Sequence, residues 1–219
     1  MRLYLKLTKN NQIIPFNYQS YLTGAIHKWI GENNTEHNSL SMYSFSWLQN
    51  VEVKSKGVIL TRDSYFFISA HDEKFLKKIL NGILTDSFVC FDSHVSDVEI
   101  SETPQFASVQ KFVTASPVFI KRRFENEEKH ITYDDPRSSD FLTETLKKRL
   151  QAANLSTNEL KVRFDDAYPN PQTKIIRYKE ISNRVNVCPV VIEGTPEQIA
   201  FAWNVGVGNS TGIGFGALK

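Results

Sequence analysis

Two histidines, His27 and His37, stand ten residues apart near the start of the chain. Imidazole has a pKa near working pH, so one histidine can accept a proton while a second donates one. A pair of this kind suits acid–base chemistry on a substrate hydroxyl and a leaving oxygen. The alternative for each is a histidine solvated at the surface. The three other histidines are less suited: His71 and His94 are predicted to be structural or exposed, and His130, after ENEEK, to be solvated.

The first predicted helix positions His27. Pro15 and Asn17 mark its start and Gly31 its end, and its apolar stripe contains Leu22, Ala25, Ile26, Trp29 and Ile30. At about 100° per residue, His27 lies roughly 130–140° from the middle of that stripe. We therefore expect His27 to face solvent or a cleft between domains. His37 follows in the polar loop ENNTEHNS, where binding residues are often found.

The chain ends in GVGNSTGIGFGALK, which holds half of its glycines: Gly206, Gly208, Gly212, Gly214 and Gly216. The first two could simply end the preceding helix, TPEQIAFAWNVGV. The last three indicate a close approach by backbone or ligand, and such a loop can bring N–H groups to an anion. No GKS or GKT is present, and the loop follows a helix instead of opening one. These features exclude a Walker phosphate loop and a dinucleotide-binding fingerprint.

The order of predicted elements is the same in two halves of the chain. Each half reads β-α-β-β-α-β, and SETPQ at residues 101–105 marks the boundary. The predicted strands are RLYLKL, SMYSFSWLQNVEV, GVILTRD, SYFFISA, SFVCFDSHVSDVEI, SVQKFVTASPVFI, ELKVRFDD, TKIIRYKEI, RVNVCPVVIEG and GFGALK. We therefore predict an α+β fold of tandem ferredoxin-like (RRM-like) domains, residues 1–104 and 105–219, with a C-terminal glycine-rich loop. Clefts between such domains are common ligand sites.

Composition narrows the class of protein. The 219 residues carry a net charge of +2 and are 41% hydrophobic, as in globular proteins. Residues 106–219 hold 16 Lys and Arg against 13 Asp and Glu, a modest basic bias that suits a polyanionic partner.

No stretch could span a membrane, and the N-terminus does not resemble a signal peptide. Cys90 and Cys188 are predicted to be buried thiols in a reducing cytoplasm, and no metal or cofactor site is expected.

Three stretches together resemble a known family. The C-terminal G-x-G…G-x-G-F-G, formed with Phe215, resembles the motif of the CRISPR repeat-processing endoribonucleases of the RAMP superfamily. IIPFNYQSYLTGAIHKWI resembles the first helix of that family, and FVTASPVFI resembles the strand that opens its second domain. The resemblance covers essentially the whole chain. It implies a metal-independent endoribonuclease that cuts precursor CRISPR RNA within repeats, without a cofactor. It further implies attack by the ribose 2′-hydroxyl, which leaves a cyclic phosphate and a 5′-hydroxyl.

The resemblance also implies roles for the two histidines. His37 holds the place of the family's catalytic histidine in the loop after the first helix. His27 occupies the helix position at which members of that family often have a tyrosine that assists the reaction, so a histidine here departs from the family pattern. A lysine that some members carry just after the loop histidine is absent here, where Asn38, Ser39 and Leu40 follow. Positive charge must then come from Lys28, Lys54 or the second domain.

The resemblance implies that RNA binds to basic residues of the second domain and to the glycine loop. The predicted RNA-binding residues are Lys28, Lys121, Arg122, Arg123, Lys174, Arg177 and the five glycines of the terminal loop. A further basic set lies on a long helix, at residues 147–149. For every basic set, the alternative to RNA binding is an ordinary face exposed to solvent. For the set on the long helix, we expect the solvent-exposed face.

Two other functions remain open on the sequence alone. The first is a non-catalytic RNA-binding subunit of a CRISPR effector complex, which would not need two histidines near a cleft. The second is a tandem ferredoxin-like sensor of small molecules, which would leave the glycine loop unexplained. The expected partners are CRISPR repeat RNA and subunits of an effector complex, with no membrane, and the chain is expected to be a monomer or a homodimer.

Overall fold

The structure is a computed structural model that describes residues 1–31, 40–125 and 127–219. Its helices are α1 (Gln19–Ile30), α2 (Glu73–Thr85), α3 (Ser138–Ala152) and α4 (Pro196–Val205). The strands of the first half are β1 (Arg2–Leu7), β2 (Ile14–Pro15), β3 (Tyr43–Phe45), β4 (Gln49–Lys54), β5 (Gly57–Ala70), β6 (Phe88–Cys90) and β7 (Ser93–Ser101). Those of the second half are β8 (Val109–Phe112), β9 (Lys121–Phe124), β10 (Glu127–His130), β11 (Lys161–Phe164), β12 (Gln172–Tyr178), β13 (Ile181–Val187) and β14 (Val190–Glu193).

The first half is an antiparallel sheet with helices α1 and α2 packed together. Strand β1 lies between β5 and β7, and β4 pairs with the far side of β5. Leucine at every second position explains why β1 forms a strand with one buried face: Leu3, Leu5 and Leu7 all lie in the core. Aspartate is a favoured helix-capping residue, so the sequence predicts a second helix that begins after Asp72. Helix α2 does begin there, and the Asp72 side chain accepts a hydrogen bond from the Lys74 N–H at 2.9 Å.

In the second half, the helices and the strands of the main sheet follow the same order along the chain. Strand β14 lies between β11 and β8, and the chain end runs beside the residues after β8, where the Lys219 N–H donates to the Val113 carbonyl at 2.8 Å. Helix α4 begins with a capping box made by Thr195 and Gln198, as the sequence Thr-Pro predicts. The predicted α+β fold of tandem ferredoxin-like domains is confirmed. No helix in the described part of the chain is both long and apolar enough to cross a membrane.

Each half has its own hydrophobic core. The first is built by residues before 99, and the second by residues after 105, with Met42 from the first half packed against it. The domain boundary at residue 104 stays a prediction. Cys90 and Cys188 are free and buried as predicted, and burial raises the pKa of the Cys90 thiol to about 11.

Several element boundaries differ from the predictions. GVILTRD and SYFFISA form one continuous strand, β5, because β4 pairs with its first part and β1 with its last. SFVCFDSHVSDVEI is a hairpin instead of one strand, since Phe91 and Asp92 both have positive φ, as a tight hairpin turn requires. Helix α1 begins at Gln19, later than predicted, because Pro15 belongs to the short strand β2, which pairs with β5.

The second half contains further differences. KRRF and EEKH form the hairpin β9–β10, and RVNVCPVVIEG divides into β13 and β14. The predicted final strand GFGALK is reduced to an isolated bridge between Thr114 and Leu218. The reason is that Gly214 and Gly216 have φ values of 89° and 66°, which extended backbone does not allow.

Candidate functional site

A cavity of about 410 Å³ opens between the two halves of the chain. Helix α1, the segment that leads into β3 together with the first residue of β3, strand β9, helix α3 and the glycine loop all contribute to it. The residues that line it are His27, Leu40, Ser41, Tyr43, Arg122, Thr145, Lys148, Arg149, Asn209, Ser210, Gly212 and Ile213. The cavity therefore joins the predicted histidine helix to the predicted glycine loop.

His27 lies in the wall of this cavity, in the last turn of α1. Its neighbours Ile26 and Trp29 are buried in the first core, while His27 itself is half-buried. The helical spacing thus turns the imidazole away from the core and toward the second half. His37, the other predicted catalytic residue, lies outside the described residues. Leu40, the first described residue after it, lines the cavity.

Arg122 is held rigidly on the opposite side of the cavity. Its Nη2 donates to the Phe141 carbonyl at 2.7 Å and to Thr145 Oγ1 at 2.8 Å, and its Nη1 reaches Asn209 Oδ1 at 3.3 Å. The side chain is 17% exposed. Arg122 is the predicted RNA-binding cation that reaches the cavity, and the contacts with α3 and the glycine loop place it there.

Arg149 is buried, although the helix set at residues 147–149 was expected to be a solvated face. Its two terminal nitrogens donate to the carbonyls of Gly206, at 3.1 Å, and Gly208, at 2.7 Å. Burial lowers its pKa to about 10, so it still carries a charge at neutral pH. No carboxylate in the described part of the chain pairs with it. The expectation failed for Arg149 because the glycine loop packs over this part of α3, whereas the Lys148 side chain is exposed.

The glycine loop is fixed by donors from the first half. The Tyr43 hydroxyl donates to the Gly212 carbonyl at 2.9 Å, and the Trp47 indole N–H donates to the Gly214 carbonyl at 2.8 Å. The N–H groups of Gly206, Gly214 and Gly216 donate within the chain, to the carbonyls of Ala202, Thr211 and Pro117. Those three N–H groups are therefore occupied in this structure, and RNA contact by the five glycines stays a prediction.

Close packing explains why glycine stands at two of these positions. A Cβ on Gly216, at φ 66°, would collide with the Val207 carbonyl. A Cβ on Gly214, at φ 89°, would lie 2.8 Å from the Phe45 ring. Both positions combine positive φ with no space for a side chain, so glycine is required by the fold itself.

The remaining predicted RNA-binding cations lie away from the cavity wall. Lys28 pairs with Asp86 at 2.8 Å, Lys121 with Glu128 at 3.1 Å and Arg177 with Glu180 at 2.5 Å. Arg123 and Lys174 are exposed on the hairpins β9–β10 and β12–β13. RNA binding by these residues stays a prediction. Lys54, another predicted source of positive charge, pairs with Glu52 on β4.

The other histidines have ordinary structural surroundings. His71 is exposed and packs edge-on against the Phe201 ring, with 4.9 Å between ring centroids, and His94 is exposed on β7. His130 was expected to be solvated, but it is 22% exposed and accepts a hydrogen bond from the Arg184 N–H at 3.1 Å. The expectation failed because hairpin β9–β10 folds back onto β13, which the local charge pattern does not reveal.

Comparisons with known proteins place this architecture in a family. Residues 100–219, more than half of the chain, match the family model described as CRISPR associated protein Cas6, C-terminal. The chain belongs to the Cas6 family. A curated relative from Methanocaldococcus jannaschii, named CRISPR-associated endoribonuclease Cas6 1, is 29% identical over all of this chain and 92% of its own length.

Solved structures share the whole fold. One described as CRISPR associated protein Cas6 has a TM-score of 0.85 at 23% identity, and covers 100% of this chain and 98% of its own. A second, described as a RAMP protein binding different RNA substrates, has a TM-score of 0.84 at 19% identity, with coverage of 100% and 98%. At these identities the likeness shows the Cas6 fold alone.

Sequence reasoning missed several residues that line this cavity or hold the glycine loop in place. Tyr43, Trp47 and Asn209 carried no motif that linked them to the glycine loop. Arg149 and Lys148 did carry a signal, namely their helical spacing from Thr145, but the charge alone suggested a solvated face.

Proposed function

We propose that the chain is a metal-independent endoribonuclease that cleaves precursor CRISPR RNA within its repeats. The observation that carries the proposal is the position of His27, in a cavity wall shared with cations of the second half and with the glycine loop. Membership of the Cas6 family and the relative named as an endoribonuclease support the same activity. The neighbour described as binding RNA substrates supports repeat RNA as the partner.

The proposed reaction is a transesterification at one phosphodiester. A base takes the proton of the 2′-hydroxyl, and the 2′-oxygen forms a bond to phosphorus in line with the leaving group. The bond from phosphorus to the 5′-oxygen breaks, and an acid returns a proton to that oxygen. The products are a 2′,3′-cyclic phosphate and a 5′-hydroxyl. His37 and His27 are proposed as the acid–base pair, because imidazole can serve either role near neutral pH.

A labelled repeat RNA incubated with the protein in excess EDTA tests this proposal. We expect cleavage to persist and the downstream product to carry a 5′-hydroxyl. A 2′-deoxy nucleotide at the cut site should abolish cleavage while leaving binding nearly intact, because it removes only the nucleophile. Activity that disappears with EDTA and returns with Mg²⁺ would contradict the mechanism. Binding without cleavage under every condition would instead favour the RNA-binding subunit.

A further inference from the structure

The charged residues in the described part of the cavity wall are all basic. Arg122, Lys148 and Arg149 line it together with His27, and the described lining residues include neither aspartate nor glutamate. A concave site with low-dielectric walls and one sign of charge concentrates ions of the opposite sign. The cavity is therefore suited to an anion, and its position next to His27 makes that anion relevant to chemistry.

The three cations differ in freedom. Arg149 is buried and bound to two glycine-loop carbonyls, and Arg122 is bound to α3 and Asn209. Lys148 lies beside Arg149 on α3, but its side chain is 60% exposed and its ammonium group is at the end of a flexible stem. Two cations are therefore fixed parts of the wall, while Lys148 is able to move onto a ligand.

We propose that this cavity is a phosphate subsite in which Lys148 contacts the phosphate oxygens, while Arg122 and Arg149 supply fixed positive charge around it. The inference rests on the proposed function, since the phosphate is taken to be the one attacked beside His27. Attack by the 2′-oxygen makes phosphorus pentacoordinate and builds negative charge on its non-bridging oxygens. Positive charge next to those oxygens, fixed at Arg122 and Arg149 and brought in by Lys148, stabilises that state more than the starting phosphodiester.

Glu144 acts as an internal competitor for the same cations. It lies outside the cavity, with one oxygen 2.6 Å from Lys148 Nζ and the other 3.4 Å from Arg122 Nη2. The pairing with Lys148 and the charge of Arg122 hold the pKa of the Glu144 carboxyl below its usual value, so it stays ionised near neutral pH. A phosphate must draw Lys148 away from Glu144. Removing the Glu144 charge should therefore tighten phosphate binding.

Titration with inorganic phosphate, at constant ionic strength set with sodium chloride, tests the subsite without RNA cleavage. The readout is the His27 ring resonance in protein carrying labelled histidine. We expect saturable binding that Lys148→Met weakens roughly tenfold, the worth of one charged contact. Glu144→Gln should tighten it several-fold. Lys147→Met, on the adjacent residue that does not line this cavity, is the matched control and should leave it unchanged.

Single-turnover cleavage of repeat RNA supplies the second measurement. Lys148→Met should lower the cleavage rate at saturating enzyme by at least tenfold, and Lys148→Arg should restore part of it. Equal behaviour of Lys148→Met and Lys147→Met in both assays would overturn the subsite, even if the wild-type chain is a nuclease. Phosphate binding that depends on Lys148 in a chain unable to cleave RNA would support the subsite and defeat the proposed function.

Discussion

The Tyr43 hydroxyl donates a hydrogen bond to the Gly212 carbonyl at 2.9 Å, across a separation of 169 residues along the chain. Tyr43 belongs to β3 in the first half, and its ring stacks on Phe75 with 4.6 Å between centroids. Gly212 belongs to the loop that closes the second half. Both residues line the cavity, so this bond couples the shape of the candidate site to the packing of the two halves.

Tyr43→Phe should destabilise the protein by about 1–2 kcal/mol. The ring can still stack on Phe75, but the buried Gly212 carbonyl loses its donor, and a buried acceptor without a partner is costly. Urea unfolding followed by circular dichroism measures the change. Tyr21→Phe is the matched control, because Tyr21 is 47% exposed, and it should change the free energy of unfolding by less than about 0.5 kcal/mol. Equal stability of the two variants would show that the Tyr43 bond contributes nothing.

Two glycine substitutions should act in opposite directions. Gly216→Ala should prevent stable folding, because its Cβ would meet the Val207 carbonyl at a backbone φ of 66°. Gly24→Ala should raise the free energy of unfolding by about 0.5–1 kcal/mol, since Gly24 lies inside α1 with open space around its missing Cβ. Soluble expression and thermal unfolding measure both. A stable Gly216→Ala protein would show that the loop can shift, contrary to the contacts described above.

Local sequence signals sufficed where a short stretch determines its own structure. Asp72 and Thr195 cap α2 and α4 as predicted, because a cap depends on residues within one helical turn. The terminal glycines indicated close packing by their residue type alone, because glycine lacks a Cβ, although the residues they pack against were not predicted. The repeated β-α-β-β-α-β order then identified the fold, since the alternation of elements is visible without knowledge of contacts.

Contacts between distant segments could not be predicted in this way. Arg149 was expected on a solvated face, yet it is buried under the glycine loop, because carbonyls of Gly206 and Gly208 accept from its charged group. Nothing near Tyr43 in sequence indicates its bond to Gly212. The cavity is built from five separate segments, and hence the convergence of Arg122, Lys148 and Arg149 on it became visible only in three dimensions.

Arg2→Lys should destabilise the protein by roughly 2–4 kcal/mol. The Arg2 guanidinium lies 3.7 Å from the Phe67 ring centre and 3.6 Å from that of Trp203, and it donates to the Trp203 and Leu218 carbonyls. A lysine cannot stack between two rings and bond both carbonyls at once. Urea unfolding provides the measurement.

The control for Arg2→Lys is the reverse replacement, lysine by arginine, at another position of strand β1. Lys6 is exposed and pairs with Asp97 at 3.0 Å, so Lys6→Arg should change stability by less than about 0.5 kcal/mol. A similarly small effect of Arg2→Lys would mean that charge alone, without the planar stacking, joins strand β1 to the second half.

The two proposed catalytic histidines should differ from an ordinary surface histidine. His37→Ala should slow single-turnover cleavage by roughly two to four orders of magnitude, the usual worth of one general acid or base. His27→Ala should also slow cleavage, by a smaller factor if it only assists. Affinity for the repeat should barely change in either variant, because each imidazole acts in the chemical step and contributes little to RNA binding. His94→Ala, at an exposed position on β7, is the control and should cleave normally.

The relative size of the two losses decides which imidazole is the principal acid or base. A larger loss at His27 would make the helix histidine the principal group, since its place in the cavity wall is fixed by α1, and the role assigned to His37 would then be wrong. If the pair acts as one unit, the double variant should be little worse than the more damaging single one, because either removal disables the same step. Full activity in the double variant would exclude both histidines from the chemistry and leave RNA binding as the function of this cavity.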